Sequence, residues 1–239
     1  MKNNRYLREN CIVLKHSVLN DNDAILSFYG EHLGKFTALV KGLRKKNSKL
    51  APQLQIAHQV EVELLHSQSG YLLTSSLEMD LESTLFHHYE TTITAIYLCE
   101  LVSTYSIEEI EITNFYFFFV DYLKSLNHYN YVEHRLFFEW YFLSLLGYGS
   151  TDTENFLHSF YEYWKSKNLN VYQRSIVDEI MVFLKTVPTN NKQHIPVLTL
   201  SHSARTIFRD ILSQEYRKHL PGMIQSQRVL DEATISDYS

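Results

Sequence analysis

The pattern of apolar and polar positions along the chain changes near residue 80. Before that point, short apolar runs alternate with clusters of Gly, Asn and Asp, which is typical of strands joined by turns. After it, apolar residues recur three and four positions apart and glycine is absent from Tyr71 to Leu146, which predicts helices. The chain therefore divides into a strand-rich domain, residues 1–80, and a helical domain, residues 81–239.

The first domain is predicted to be a small β-barrel. Five short strands in about 80 residues fit the five-stranded OB-fold, a barrel that commonly binds nucleic acids. The predicted strands are Cys11–Leu19, Ala24–Tyr29, Lys35–Lys41, Val60–Leu64 and Tyr71–Leu77.

The second domain is predicted to be all helical, so the fold class is α+β with two domains. Ser201 or Ser203 is expected to cap the last helix, and the clearest loop is Pro188–Pro196. The predicted helices are Tyr89–Tyr105, Asn114–Leu126, Val132–Leu146, Thr153–Lys167, Val171–Val187 and Ser201–His219.

Charge is distributed unevenly over the 239 residues, whose net charge is −5. Residues 1–50 hold ten basic and four acidic side chains, a net of +6, whereas residues 81–150 hold two basic and nine acidic ones, a net of −7. A basic segment on an acidic chain indicates one local anionic partner. A solvated surface without a partner is the alternative.

Composition excludes several classes of protein. Two cysteines, Cys11 and Cys99, cannot form a disulfide framework or a four-cysteine zinc site, and we expect both to be buried as small apolar residues. The longest apolar runs are shorter than a membrane span, and the polar start of the chain does not resemble a signal peptide. We expect a soluble cytoplasmic protein without metal or cofactor.

Motifs of known catalytic sites are missing from the sequence. Gly30–Lys35 superficially resembles a phosphate loop, but the spacing of its glycines and the residue after the lysine do not match. Glu108, Glu109 and Glu111, with Asp121 nearby, are expected to be solvated residues at a helix boundary. We therefore predict a protein that is not an enzyme, with a metal-dependent nuclease using these acids as an open alternative.

The segment Lys41–Lys49 carries the candidate chemistry, because five of its nine residues are cationic. Cations on a loop beside a barrel can follow a phosphate backbone without reading its sequence. Tyr29 and Phe36 are candidate platforms for base stacking, although the barrel core is the favoured interpretation for Phe36. The predicted DNA-binding residues are Lys15, Lys35, Lys41, Arg44, Lys45, Lys46 and Lys49.

The last helix has a second, smaller group of cations. Arg205 and Arg209 lie one turn apart on it and form a predicted basic patch, which either extends the DNA path or receives an acidic peptide tail. The alternative is that both arginines are solvated or paired with Asp210 and Glu215.

A set of residues spread over most of the chain carries a resemblance to a known family. In the strand-rich domain these residues are Ile12-Val13-Leu14-Lys15, Asp23, Gly34-Lys35, Lys41–Lys49 and Leu54-Gln55. Further along they are Glu100-Leu101-Val102, Gly147-Tyr148, His219-Leu220, Ser226 and Leu230. Together they resemble the RecO family of bacterial recombination mediators.

This resemblance implies a DNA-handling protein that is not an enzyme. Members of the family bind single- and double-stranded DNA, anneal complementary strands and engage the C-terminal tail of single-strand-binding protein. With RecR they help to load RecA, and their place is the bacterial cytoplasm at the nucleoid. An OB-fold adapter that binds RNA, or another single-strand nucleic-acid adapter, is the alternative.

One departure from the family pattern concerns zinc. Many RecO proteins carry a four-cysteine zinc site after the position that matches Gly147-Tyr148, whereas residues 149–198 contain no cysteine here. We therefore expect no zinc in this chain.

Overall fold

The computed structural model describes residues 6–79, 86–126, 131–148, 174–186 and 199–219. Within these ranges the strands are β1 (Tyr6–Val18), β2 (Ala24–Gly30), β3 (Gly34–Val40), β4 (Gln59–Ser67) and β5 (Gly70–Glu78). The helices are α1 (Tyr89–Tyr105), α2 (Phe115–Ser125), α3 (Tyr131–Leu145), α4 (Arg174–Thr186) and α5 (His202–His219).

The five strands form a closed barrel in the order β1-β2-β3-β5-β4. β1 pairs antiparallel with β4 over its first half and with β2 over its second half, so one long strand closes the barrel on both sides. The pairing of β3 with β5 is parallel, and the other pairings are antiparallel. This barrel, followed by helices, confirms the predicted OB-fold and helical domain.

Alternation along the strands explains the barrel core. In β3, Phe36, Ala38 and Val40 are buried, while Thr37 and Leu39 between them and Lys35 before them are only half-buried. The buried set meets apolar residues of the other strands in one interior cluster, as expected when every second side chain points inward.

Two strands are longer than the alternation predicts. β1 begins at Tyr6 rather than Cys11, and β4 extends from Gln59 to Ser67. The added residues at the start of β1 include Arg8, Glu9 and Asn10, which lack an apolar period. They are held in the strand by pairing with β4, so their conformation depends on a partner that is distant in sequence.

The chain divides into two compact units among the described residues. Residues up to Leu126 form one unit, in which α1 and α2 pack with the barrel, and residues from Tyr131 to His219 form another. The predicted boundary near residue 80 stays a prediction. In the second unit, Phe183 of α4 makes edge contacts with Phe137 of α3 and Phe208 of α5, and these rings lie in its core.

Several smaller predictions have clear outcomes. Ser201 caps α5, because its hydroxyl accepts a hydrogen bond from the Ala204 amide at 3.3 Å. Cys11 and Cys99 are both buried free thiols, and burial raises the pKa of each above its usual value. The predicted helix at Thr153–Lys167 and the predicted loop at Pro188–Pro196 lie outside the described residues. Across those described residues, the helices are too short or too polar to span a membrane.

Candidate nucleic-acid interface

The predicted cationic segment forms an exposed loop at one end of the barrel. It follows β3 directly, and Gly42 turns the chain with φ +68°, a value that glycine adopts without strain. Leu43 points inward and joins the barrel core with Leu54. The side chains around it face solvent, and they include all five predicted cations of the loop: Lys41, Arg44, Lys45, Lys46 and Lys49.

The turn between β1 and β2 braces this loop. The Asp23 carboxylate accepts a hydrogen bond from the Gly42 amide at 2.8 Å. This bond, with one from Asn20 and the nearby charges of Lys45 and Lys41, holds the pKa of Asp23 below its usual value. The backbone amide of Arg44 donates to the carbonyl of Asn22 at 3.0 Å. The start of the cationic loop is therefore fixed to the neighbouring turn at two points of the backbone.

The β1–β2 turn is itself closed by hydrogen bonds of the Asn20 side chain. The side-chain oxygen of Asn20 accepts hydrogen bonds from the amides of Asn22 and Asp23 at 2.9 and 2.8 Å. Its amide nitrogen donates to the Asp23 carboxylate at 3.1 Å, an arrangement that favours tight turns. The guanidinium of Arg44 donates to the carbonyl oxygen of Asn20 at 2.6 Å. We call this turn and the Lys41–Lys49 loop together the basic end of the barrel.

The chemistry of the basic end suits an extended polyanion. No acidic residue occurs between Lys41 and Gln55, so the loop cations are not neutralised by their sequence neighbours. Lysine and arginine offer several N–H donors to phosphate oxygens, and each phosphate they neutralise releases bound counterions. A braced loop also loses less conformational entropy on binding than a flexible one.

The predicted residues Lys15 and Lys35 are placed differently from the loop. Lys15 is exposed on β1 and pairs across the sheet with Ser27. Lys35 is half-buried, and its ammonium donates a hydrogen bond to the carbonyl of Ser106 at the C-terminus of α1, at 3.2 Å. The charge of Lys35 therefore stabilises a helix end, where cations are favourable.

Lys35 lies near the opposite end of the barrel, which we call the acidic end. It consists of the β2–β3 turn, residues 31–33, and the segment Ile107–Glu111 between α1 and α2. The amide of Glu109 donates to the carbonyl of Lys35 at 2.7 Å, so this segment runs along the start of β3. Glu108, Glu109 and Glu111 are exposed there.

The structure confirms the favoured interpretation of Phe36 as a residue of the barrel core, whereas the candidate role of Tyr29 as a stacking platform is wrong. Phe36 points into the barrel and stacks on Phe28 with ring centroids 5.1 Å apart. Tyr29 is fully buried against Phe115 of α2, and its hydroxyl accepts a hydrogen bond from the Ile112 amide at 3.1 Å. Neither ring is accessible to a base.

The two predicted arginines of α5 also differ from each other. The Arg205 guanidinium lies 2.8 Å from the carboxylate of Glu133, a residue of α3 that is only 2% exposed. Arg205 therefore neutralises a buried charge, a pairing whose loss is costly. Glu133 is a partner on another helix, which was not considered from the sequence. Arg209 is half-buried on the same helix.

The stretch that superficially resembles a phosphate loop already holds an anion of its own. The buried Glu9 carboxylate accepts hydrogen bonds from the amides of His32 and Leu33 at 2.6 and 3.0 Å. Its side chain lies where a Cβ on Gly30 would be. The glycines here accommodate neighbouring groups of the chain, and the turn amides are occupied.

Among the described residues, no group of three or more His, Cys, Asp or Glu side chains could hold a metal ion. Glu108, Glu109 and Glu111 are among these described residues. The expectation of a metal-free protein stays a prediction.

Sequence reasoning missed the supports of the basic end. Leu43 and Asp23 hold the loop, yet neither is a cation or an aromatic residue. The available signals were a single leucine among five cations and an aspartate directly before a strand.

Comparisons with known proteins give a consistent result. The family model described as "Recombination protein O N terminal" matches residues 1–77, and the one described as "Recombination protein O C terminal" matches residues 87–154. "DNA repair protein RecO" of Syntrophomonas wolfei is 28% identical over 144 residues, which cover 60% of this chain and 58% of that protein. "DNA repair protein RecO" of Clostridium perfringens is 28% identical over 116 residues, covering 48% and 47%. The chain thus spans about half the length of the curated relatives it matches.

Proposed function

Because this chain belongs to the RecO family, we propose that it is a DNA repair and recombination protein that binds DNA through the basic end of its barrel. The observation that carries the proposal is the braced loop with five exposed cations and no acidic residue between Lys41 and Gln55. Such a surface binds the phosphate backbone whatever the base sequence.

The salt dependence of DNA binding tests this proposal. Arg44 also bonds to Asn20, so the cleaner variant is Lys45→Ala with Lys46→Ala. Two lost phosphate contacts lower the slope of log affinity against log salt by about two. Adding Arg44→Ala should lower this slope by between about two and three, but it also removes a hydrogen bond that supports the turn.

A second double variant controls for net charge. Arg217 and Lys218 are exposed on α5, and changing both to Ala removes the same two charges from elsewhere on the chain. We expect this control to keep the slope of the unchanged protein. If both double variants give the same slope, the loop has no special role and the proposal fails.

In the full proposal, the protein anneals complementary strands and, together with RecR, helps to load RecA onto single strands coated by single-strand-binding protein. It acts without an enzymatic step or a cofactor, in the bacterial cytoplasm at the nucleoid. A purified mixture of coated single strands, RecR and RecA tests this role through the rate at which RecA filaments form. No acceleration by the unchanged protein would contradict it.

A separate experiment tests whether the protein is a metal-dependent nuclease. Labelled DNA incubated with the protein and magnesium or manganese should remain intact. Cleavage that Glu108→Gln or Glu111→Gln abolishes would support the nuclease alternative instead.

An RNA-binding or other single-strand adapter is the second candidate, since a basic barrel surface suits either nucleic acid. The 2′-hydroxyl is the group that distinguishes RNA from DNA at a binding site. Equal-length oligonucleotides of both kinds, measured at the same salt concentration, separate the two candidates. Tighter binding of RNA would favour the adapter.

We propose that Arg205 and Arg209, which we call the α5 patch, bind a second anionic ligand. This ligand is either DNA or the acidic tail of single-strand-binding protein. The patch is tested at Arg209, because Arg205→Glu would place a second carboxylate beside the buried Glu133. Arg209→Glu should weaken binding of one ligand, and Arg217→Glu on the same helix is the matched control. If Arg209→Glu leaves both the DNA and the tail peptide bound as before, the patch is only structural.

A further inference from the structure

The β1–β2 turn exposes two consecutive apolar side chains. Val18 is 70% exposed and Leu19 is 51% exposed, at the point where β1 ends and the turn begins. Exposed apolar residues are common on protein surfaces when they occur singly. Val18 and Leu19 are instead consecutive, and we call them the apolar tip. Two adjacent exposed apolar side chains at a turn indicate a contact with a binding partner.

These two residues lie beside the cations of the basic end. The turn that follows them accepts a hydrogen bond from the Arg44 guanidinium, and Lys41 and Lys45 act electrostatically on its Asp23. The apolar tip and the phosphate-binding cations therefore belong to one surface.

The tip is also held in place. The amides of Leu19 and Asn20 both donate to the carbonyl of Asp23, at 3.2 and 3.3 Å. Together with the side-chain bonds of Asn20, these contacts fix the direction in which Leu19 is displayed. A fixed apolar group can bind without a large loss of conformational entropy.

We propose that Val18 and Leu19 contact the exposed faces of unpaired bases while the loop cations hold the phosphates of the same strand. This inference rests on the proposed function and deepens it, because it assigns the site a preference for single strands. Asn22, exposed on the same turn, adds an amide that can hydrogen-bond to base edges.

The combination of charges and apolar groups favours this ligand. A duplex presents phosphates on its outside and hides the faces of its bases in the stack, so an apolar tip adds nothing to duplex binding. A single strand exposes its base faces, on which aromatic side chains stack and against which apolar side chains also pack. The five loop cations in nine residues also suit the repeated charges of a nucleic-acid backbone.

The test is Leu19→Ser in the full chain, with Leu77→Ser as the matched control. Leu77 is 64% exposed on β5 of the same barrel and belongs to neither the turn nor the loop. The probes are a fluorescent oligothymidine of about 16 nucleotides and a duplex of the same length, each titrated at several salt concentrations.

Leu19→Ser should weaken binding of the single strand about fivefold at every salt concentration. The slope against log salt should stay unchanged, because no phosphate contact is lost. Duplex binding should not change, and Leu77→Ser should match the unchanged protein with both probes.

Several outcomes overturn the inference. Unchanged single-strand affinity in Leu19→Ser shows that the tip does not touch bases. Equal weakening with both probes places the tip in a duplex as a wedge. Loss confined to an acidic, apolar peptide used as a third probe assigns the tip to a protein.

The variant Lys45→Ala with Lys46→Ala separates the contact with bases from DNA binding by the loop. If Lys45→Ala with Lys46→Ala leaves DNA binding and its salt slope unchanged, both ideas fall. If that variant weakens binding and Leu19→Ser does not, only the contact with bases is wrong.

Discussion

The two ends of the barrel use the same strands for opposite purposes. At the basic end, an inward leucine and a turn carboxylate hold the loop, and five cations remain exposed. At the acidic end, backbone lies directly on backbone, because Gly34 contacts the segment Ile107–Glu111 without an intervening side chain. A closed barrel can thus expose a charged loop at one end and attach helices at the other. Substitutions at the acidic end should therefore change stability, and substitutions at the basic end should change DNA binding.

The largest effect is expected for Gly34→Ala at the acidic end. Gly34 has φ +62°, and a Cβ there would collide with the carbonyl group of Ile110. Left-handed strain and overpacking together predict a loss of about 3 kcal/mol in the free energy of unfolding. Urea denaturation measures it.

Gly70→Ala is the matched control for that prediction. Gly70 also has a positive φ, +104°, but nothing lies within 4 Å of its added Cβ. It should lose only the backbone strain, about 1–2 kcal/mol. Equal losses in the two variants would show that the segment does not press on Gly34.

A smaller loss is expected for Glu9→Ala, which removes the carboxylate bound to the amides of His32 and Leu33. Because two backbone amides lose their charged acceptor, we expect a cost of about 2 kcal/mol in the free energy of unfolding. Glu63→Ala is the control, because its carboxylate is partly exposed and paired with Arg8 at the surface. That variant should lose less than about 1 kcal/mol.

Both Glu9→Ala and Glu63→Ala should bind DNA as the unchanged protein does when measured well below their unfolding temperatures. A loss of DNA binding in folded Glu9→Ala would contradict the division between the two ends.

The smallest effect concerns pH at the basic end. The bond from the Gly42 amide, together with Asn20 and the nearby lysines, lowers the pKa of Asp23. A lowered pKa means that the charged carboxylate favours the folded state. Its contribution to stability is present above the usual aspartate pKa of about 4 and is lost as pH falls through the lowered value.

The amide resonance of Gly42 reports this titration by NMR. In the unchanged protein it should shift with a midpoint below about 4, and in Asp23→Asn this titration should vanish. A midpoint at or above the usual aspartate value would show that Asp23 does not brace the loop.

Local sequence patterns were sufficient for the barrel and the exposed loop. Alternating residues such as those of β3 specify strands, and five cations in nine residues are too costly to bury. The central part of each strand and the exposure of the loop follow from neighbouring residues, whereas the added length of β1 depends on its pairing with β4.

The contacts that local patterns did not reveal join residues that are distant in sequence. Tyr29 is covered by Phe115, and Arg205 pairs with Glu133. Alternation assigns a residue to a face of a strand, but it does not say whether a helix from elsewhere in the chain covers that face. Charge patterning along one helix likewise does not reveal a carboxylate on another.

The long first strand has a consequence for the order of folding. β1, β2 and β3 are joined by short turns, whereas β1 pairs with β4 through partners such as Tyr6 and Leu65, far apart in sequence. Local hairpins form faster than pairings that close a long loop. On a ribosome, the first three strands therefore emerge with two unpaired edges, which remain open to other chains until β4 and β5 are synthesised. The cationic loop Lys41–Lys49 is synthesised in that interval, and repulsion between like charges opposes the association of neighbouring nascent chains of the same protein.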